Sequence, residues 1–204
     1  MQIKNVIFDL GGVLFNIDYN RTKNAFQQLG FAKFEEMYNQ YHSDGLFTEL
    51  ETGRVTQEVF YQRMLAHAPI NVSATNIQNA WNAMLLNFRK PALPFIDVLR
   101  KERKIYLLSN TNAIHEAAFL KIIAEETGID DFDACFTKAW YSHKIGMRKP
   151  DVATYQYVLD DAGIVAEETL FIDDSYNNIE GAAAAGLHTH LLLPSEQIED
   201  VQYG

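Results

Sequence analysis

Four short stretches of the chain hold the side chains best suited to chemistry. Asp9 follows Val6-Ile7-Phe8 and leads into Leu10-Gly11-Gly12-Val13-Leu14. Ser109 and Asn110 follow Ile105-Tyr106-Leu107-Leu108. Lys149 sits in Gly146-Met147-Arg148-Lys149-Pro150-Asp151. Asp173 and Asp174 follow Thr169-Leu170-Phe171-Ile172, with Asn178 a helical turn further on. Asp9, Asp173 and Asp174 make an all-oxygen ligand set of the kind that suits Mg2+. Lys149 would add a fixed positive charge able to hold an anionic substrate. Taken singly, each of these polar residues is explained as well by helix capping or turn formation. Their combination carries the functional reading.

The elements that must position these residues are short apolar runs. Residues 6–8, 105–108 and 169–172 each read as a buried strand that ends where the polar residues begin. Residues 190–193, closed by Pro194, form a fourth such run, and residues 133–136 a weaker one. Helix-like segments near 93–102, 112–127, 151–163 and 176–186 alternate with them. This alternation predicts an α/β fold with a parallel sheet buried on both faces. In open parallel sheets, ligands bind just outside the carboxyl ends of the strands. Asp9, Ser109, Asn110, Asp173 and Asp174 all fall there.

The stretch from about Tyr19 to Phe88 is helix-patterned and lacks clear strand runs. Val59, Phe60, Met64 and Leu65 recur at helical spacing, as do Phe26 and Leu29. It reads as a helical insert, and Pro91 and Pro94 mark the return. The expected division is a core of residues 1–17 and 90–204 and an insert of residues 18–89. Trp81, Met84 and Leu85 share a helical face and are expected to pack the insert. The polar, acidic tail after Pro194 is expected to fray.

Composition narrows the function. The chain has 204 residues, 48% hydrophobic and 22% charged, with Phe 13, Tyr 10 and Trp 2, which supports a real core and excludes disorder. The net charge of -10, with both signs mixed along the chain, argues against nucleic acid or an anionic membrane as partner. Cys135, the one cysteine, cannot form an internal disulfide and fits a reducing compartment. No stretch approaches the ~18 apolar residues of a membrane span, and no secretory-signal pattern is visible. A cytoplasmic monomer or weak homodimer is expected.

In order, the Asp9-Leu10-Gly11-Gly12-Val13 motif, Ser109-Asn110, Lys149-Pro150-Asp151 and Asp173-Asp174-Ser175 with Asn178 resemble the four motifs of the haloacid dehalogenase superfamily. The insert lies where the helical-cap branch of that superfamily keeps its cap, so the resemblance spans the whole chain. The form of the first and last motifs looks most like small bacterial sugar-phosphate phosphatases similar to α-glucose 1-phosphate phosphatase. The resemblance implies a doubly wound, Rossmann-like core with an inserted α-helical cap. It also implies Mg2+-dependent hydrolysis of a small phosphorylated metabolite through an aspartyl-phosphate. Asp9 matches the nucleophile and a metal ligand. The Gly11 main-chain carbonyl and the Asp174 carboxylate match further metal ligands. Ser109 matches the catalytic hydroxyl that binds the phosphoryl group, assisted by the Asn110 amide. Lys149 matches the lysine that steadies both nucleophile and substrate. Asp173 and Asn178 match outer positions of the metal site.

One departure matters. Most phosphatases of the family carry a second aspartate two residues after the nucleophile, where this chain has Gly11. Such an acid–base group usually contributes ~10²–10⁴-fold. The substrate could carry a good leaving group, Asp18 or His143 could substitute, or the protein could turn over slowly and mainly bind. Haloacid dehalogenases also lack that aspartate and work without metal. For them, Asp173-Asp174 would repel a carboxylate substrate unless a cation intervened. A phosphatase is therefore the leading reading. A 2-haloacid dehalogenase-type hydrolase and a weakly active metabolite- or phosphoprotein-binding protein are the alternatives. Asn16, Asp18, Tyr19, Arg21, Phe47 and Glu51 are candidates for the mouth of the cleft, although Phe47 suits a core and Arg21 a surface equally well.

Overall fold

Val6, Ile7 and Phe8 are fully buried because their strand lies in the middle of a sheet covered on both faces. The computed structural model describes residues 2–39, 42–43 and 45–204. In it, Asn5–Phe8 pairs in parallel with Lys104–Ser109 on one side and Thr169–Asp173 on the other. Lys138–Tyr141 and His188–Leu191 add the outer strands of a five-stranded sheet, again in parallel. Successive side chains point to opposite faces. Val6, Phe8, Leu107 and Ile172 pack with Ile96 and Phe119, whereas Ile7, Tyr106, Leu108 and Phe171 pack with Tyr155 and Ala182. Helices Ala92–Leu99 and Ala113–Thr127 thus cover one face, and Val152–Ala162 and Tyr176–Ala184 the other. Local signals set their limits. Asn112 accepts from the amides of Ile114 and His115 at the start of the long helix, and Gly128 ends it at φ 76°.

Three expectations for the sheet half need correction. Residues 133–136 do not form a strand: Asp133–Cys135 is a 3-10 turn, closed by the Phe136 amide on the Asp133 carbonyl. The turn lets Phe132 and Phe136 pack edge to face at 5.2 Å, and the strand begins at Lys138 instead. The last strand starts two residues earlier than its apolar run, at His188. The tail does not fray. Ile198 and Val201 are buried, Tyr203 packs 5.6 Å from Phe95, and Arg103 donates to the carbonyls of Tyr203 and Gly204.

The insert holds helices Tyr19–Gln28, Phe34–Met37, Gly45–Glu51, Gln57–Leu65 and Ala74–Asn82. Its interior is aromatic, with Phe26, Phe34, Phe47, Phe60 and Trp81 all buried. Contrary to the all-helical reading, Leu85–Phe88 is a strand, antiparallel to Phe15–Ile17, and a two-residue pair joins Tyr38–Asn39 to His42–Ser43. A four-residue run has no visible partner in the sequence when that partner lies 70 residues away. The Phe15–Ile17 pairing ties the two ends of the insert together. Trp81 seats the insert on the sheet half, stacking on His115 at 4.5 Å and donating from Nε1 to Asn112 Oδ1 at 3.4 Å. Gly53, at φ +67°, brings the backbone so close that a Cβ there would lie 2.2 Å from the His143 carbonyl. No helix among the described residues is long and apolar enough to cross a membrane.

Candidate active site

Because the Asn5–Phe8 strand is central, the loops leaving it and its two neighbours converge. Asp9, Gly11, Ser109, Asn110, Lys149 and Asp174 line one cavity of about 280 Å³, roofed by the helical insert. Lys149 is 1% exposed, and its Nζ lies 2.7 Å from Asp9 Oδ1 and 2.6 Å from Asp173 Oδ2. Burial alone would lower the Lys149 ammonium, but Asp173 and Asp9 overcome it and hold the pKa raised. Asp9 is pushed up to about 8, first by burial and then by Asp173 and Asp174, against the pull of Lys149. Burial and the Asp173 charge raise Asp174 to about 6.

The sequence around each residue explains its pose. The Asn110 side chain bonds the Lys149 backbone twice, donating to its carbonyl and accepting from its amide, each at 2.9 Å. Thr154 Oγ1 donates to the Arg148 carbonyl at 2.8 Å and fixes the other side of that loop. Asp173 is wholly enclosed. It takes the Lys149 ammonium, the Ser175 amide at 2.8 Å and the Asn178 side-chain amide at 3.0 and 3.1 Å. Gly12, at φ +78°, packs against Asp174: a Cβ there would lie 2.2 Å from Asp174 Oδ2. Only glycine meets both demands.

Of the residues expected at the cleft, Tyr19 and Glu51 line the cavity. Asp18 instead caps the Tyr19–Gln28 helix, accepting from the Asn20 amide at 2.9 Å. His143 pairs with Glu116 at 3.1 Å, away from the cavity. Neither therefore takes the place of a carboxylate at Gly11. Asn16 is engaged by Arg89 at 2.8 Å, Arg21 is exposed beside Asp18, and Phe47 is core. The structure adds three residues that the sequence did not single out, Tyr38, Arg148 and His115. Arg148 reads as one more surface cation in a basic loop, and Tyr38 and His115 sit in segments without a motif.

The donor set fits a hard divalent cation. Asp9, Asp173 and Asp174 each place a carboxylate oxygen within 4.8 Å of the others, against one ammonium. Burial first, and then the neighbouring carboxylate charges, raise Asp9 and Asp174, and a cation between them would relieve that crowding of negative charge. With Asp173 committed to its amide and ammonium donors, Asp9 and Asp174 are the carboxylates that face the cavity.

A parallel α/β sheet, a helical insert after its first strand and carboxylates at the strand ends define a class of hydrolase. The chain belongs to the haloacid dehalogenase-like hydrolase family, whose model matches residues 3–186. It is 31% identical over 190 residues to a D-ribitol-5-phosphate phosphatase of Bacteroides thetaiotaomicron, covering 92% of this chain and 91% of that protein. A crystal structure of a family enzyme from the same organism, a mutant in complex with magnesium and inorganic phosphate, superposes with a TM-score of 0.86. It has 33% identity and 96% coverage of each chain. A 2-haloacid dehalogenase from Pseudomonas syringae matches at a TM-score of 0.59 and 18% identity, over 98% of this chain and 90% of its own, and so shares the fold alone.

Proposed function

We propose that this protein is a Mg2+-dependent phosphatase that hydrolyses a small phosphorylated metabolite, a sugar or polyol phosphate, through Asp9. The observation that carries the reading is the buried Asp9–Lys149 contact at 2.7 Å inside a carboxylate cluster at the strand ends. Asp9 and Asp174, with the Gly11 carbonyl, would hold the metal. When bound, Mg2+ would neutralise charge on nucleophile and phosphate and favour in-line geometry.

The chain's own residues do the rest. An Asp9 oxygen attacks phosphorus, the bond to the ester oxygen breaks, and the leaving group departs as the alcohol once protonated. Water then attacks the phosphoryl group on Asp9, which frees inorganic phosphate and restores the carboxylate. Lys149 holds Asp9 in place and offsets the phosphoryl charge, and Ser109 and the Asn110 main-chain amide bind phosphoryl oxygens. Residues 18–89 act as the cap and residues 1–17 and 90–204 as the core, a division supported by the strand pair that closes the ends of the insert. Where family phosphatases carry a second aspartate, Gly11 faces Ile17: a Cβ there would meet Ile17 Cδ1 at 3.0 Å. The proton for the leaving group therefore comes from elsewhere in the cavity or from water.

Phosphate release should be measured over sugar, polyol, acyl and nucleoside phosphates, with Mg2+ and with EDTA. Metal-dependent turnover should fall by about 10⁴-fold or more in Asp9→Asn, as loss of a nucleophile does elsewhere. Turnover that survives this substitution would remove Asp9 from the chemistry.

A further inference from the structure

The cavity has a second polar group besides the carboxylate cluster. Glu51 closes the Gly45–Glu51 helix and is 4% exposed. Its Oε2 lies 2.9 Å from Arg148 Nη2, and its Oε1 accepts from the Tyr38 hydroxyl at 3.4 Å. Burial raises the Tyr19 phenol, and the charges of Asp174, Asp9 and Glu51 raise it further, so it remains an O–H donor. Tyr19, Tyr38, Glu51 and Arg148 all line the cavity.

A buried ion pair is a poor device for stability alone, and this one is imperfect as a structural link. Among the described residues, neither Glu51 Oε2 nor Arg148 Nε has a hydrogen-bond partner, although Oε2 lies 2.9 Å from Nη2 as an ion pair. The pair cancels its own charge, so this part of the cavity offers hydrogen-bonding groups without a net charge to attract an ion.

We propose that Glu51, held by Arg148 and Tyr38, accepts a hydrogen bond from a hydroxyl of the leaving group, so that the cleft selects phosphate monoesters whose leaving group is uncharged and hydroxyl-bearing. This deepens the phosphatase reading and rests on it. A substrate without the hydroxyl leaves a buried carboxylate short of a donor. A substrate with a carboxylate there meets Glu51 and an Arg148 whose charge Glu51 already offsets.

The test is a substrate series on the wild-type enzyme and on Glu51→Gln, using glycerol 1-phosphate, propyl phosphate and 3-phosphoglycerate, with acetyl phosphate as a general phosphoryl donor. Wild type should favour glycerol 1-phosphate over propyl phosphate by roughly 10–100-fold in kcat/KM, the scale of a hydrogen bond to a charged group. It should also favour glycerol 1-phosphate over 3-phosphoglycerate. Glu51→Gln should shrink both preferences by about tenfold. Parallel losses on all substrates would overturn the proposal and leave Glu51 as a link between cap and core. A wild type without preference overturns it even if the variant does not fold. No wild-type turnover of acetyl phosphate or any ester defeats the phosphatase reading itself, and the proposal with it.

Discussion

Between Asp9 and Asp173, the Lys149 ammonium separates two carboxylates that would otherwise repel one another. Removing one partner of a buried charge group costs about 3–5 kcal/mol, because the remaining charges stay buried. Lys149→Met should therefore lower the stability of the metal-free protein by about that amount. Lys149→Met with Asp173→Asn should recover part of it, since one unpaired carboxylate is gone. Both variants should be inactive, because neither restores the cation beside Asp9. Urea denaturation in EDTA checks the first claim, and equal stabilities for the two variants would show that Asp173 is not coupled to Lys149. At this scale the sequence was informative for Asp9, Ser109, Lys149 and Asp174. Each stands where an apolar run ends or beside a proline, so its neighbours declare its place. It marked Glu51 as a mouth candidate but was silent on its pairing with Arg148, since the two meet across 97 positions of chain.

The helical insert and the sheet half meet where Trp81 stacks on His115. His115 Nε2 lies 3.1 Å from the Trp81 carbonyl, a contact that makes this nitrogen the donor of a neutral ring. Burial holds its pKa down at about 4, against the raising pull of that carbonyl and an ordinary 6.5. The unfolded chain binds the proton more readily, so the stability from neutral His115 is complete above pH 6.5 and is lost as pH falls toward 4. The loss across that window should be about 3 kcal/mol. His115→Gln should lack this component, which appears as the difference between the two stability–pH curves in chemical denaturation. Superimposable curves would mean that the ring is not kept neutral by this seam. Element boundaries were legible where caps or strong periodicity marked them, as for the Asn112-capped helix Ala113–Thr127. They were not legible at Asp133–Cys135, where apolar residues served a turn, or at Leu85–Phe88, whose identity as a strand depends on Phe15–Ile17.

For the whole molecule, a net charge of -10 coexists with a site proposed for anions, because a bound Mg2+ beside Lys149 would offset the local carboxylates while distant surface charge is screened. The carboxylate cluster proposed to hold Mg2+ exists in the folded chain and not in the unfolded one. At 100-fold excess over Kd, Mg2+ should therefore stabilise the fold by about 2.7 kcal/mol. For a chain of this size that corresponds to roughly 5–10 °C in Tm. Thermal scans with Mg2+ and with EDTA should show the shift in the wild type and a much smaller one in Asp174→Asn. An undiminished shift in that variant would move the metal away from Asp9 and Asp174.

By itself, the sequence determined the α/β class, the helical insert and the four polar strand-end or loop positions. These follow from local periodicity and from the residues that stop a strand, both of which are written in adjacent positions. Only the tertiary structure decided what engages Asp173, namely the Lys149 ammonium and two amides, and that Asp18 and His143 are spent elsewhere. It also decided that Tyr38, Glu51 and Arg148 share a wall with Tyr19. Two adjacent aspartates look alike in a sequence, but one turns into the protein and the other toward the cleft, and distant segments set the neighbours each one finds.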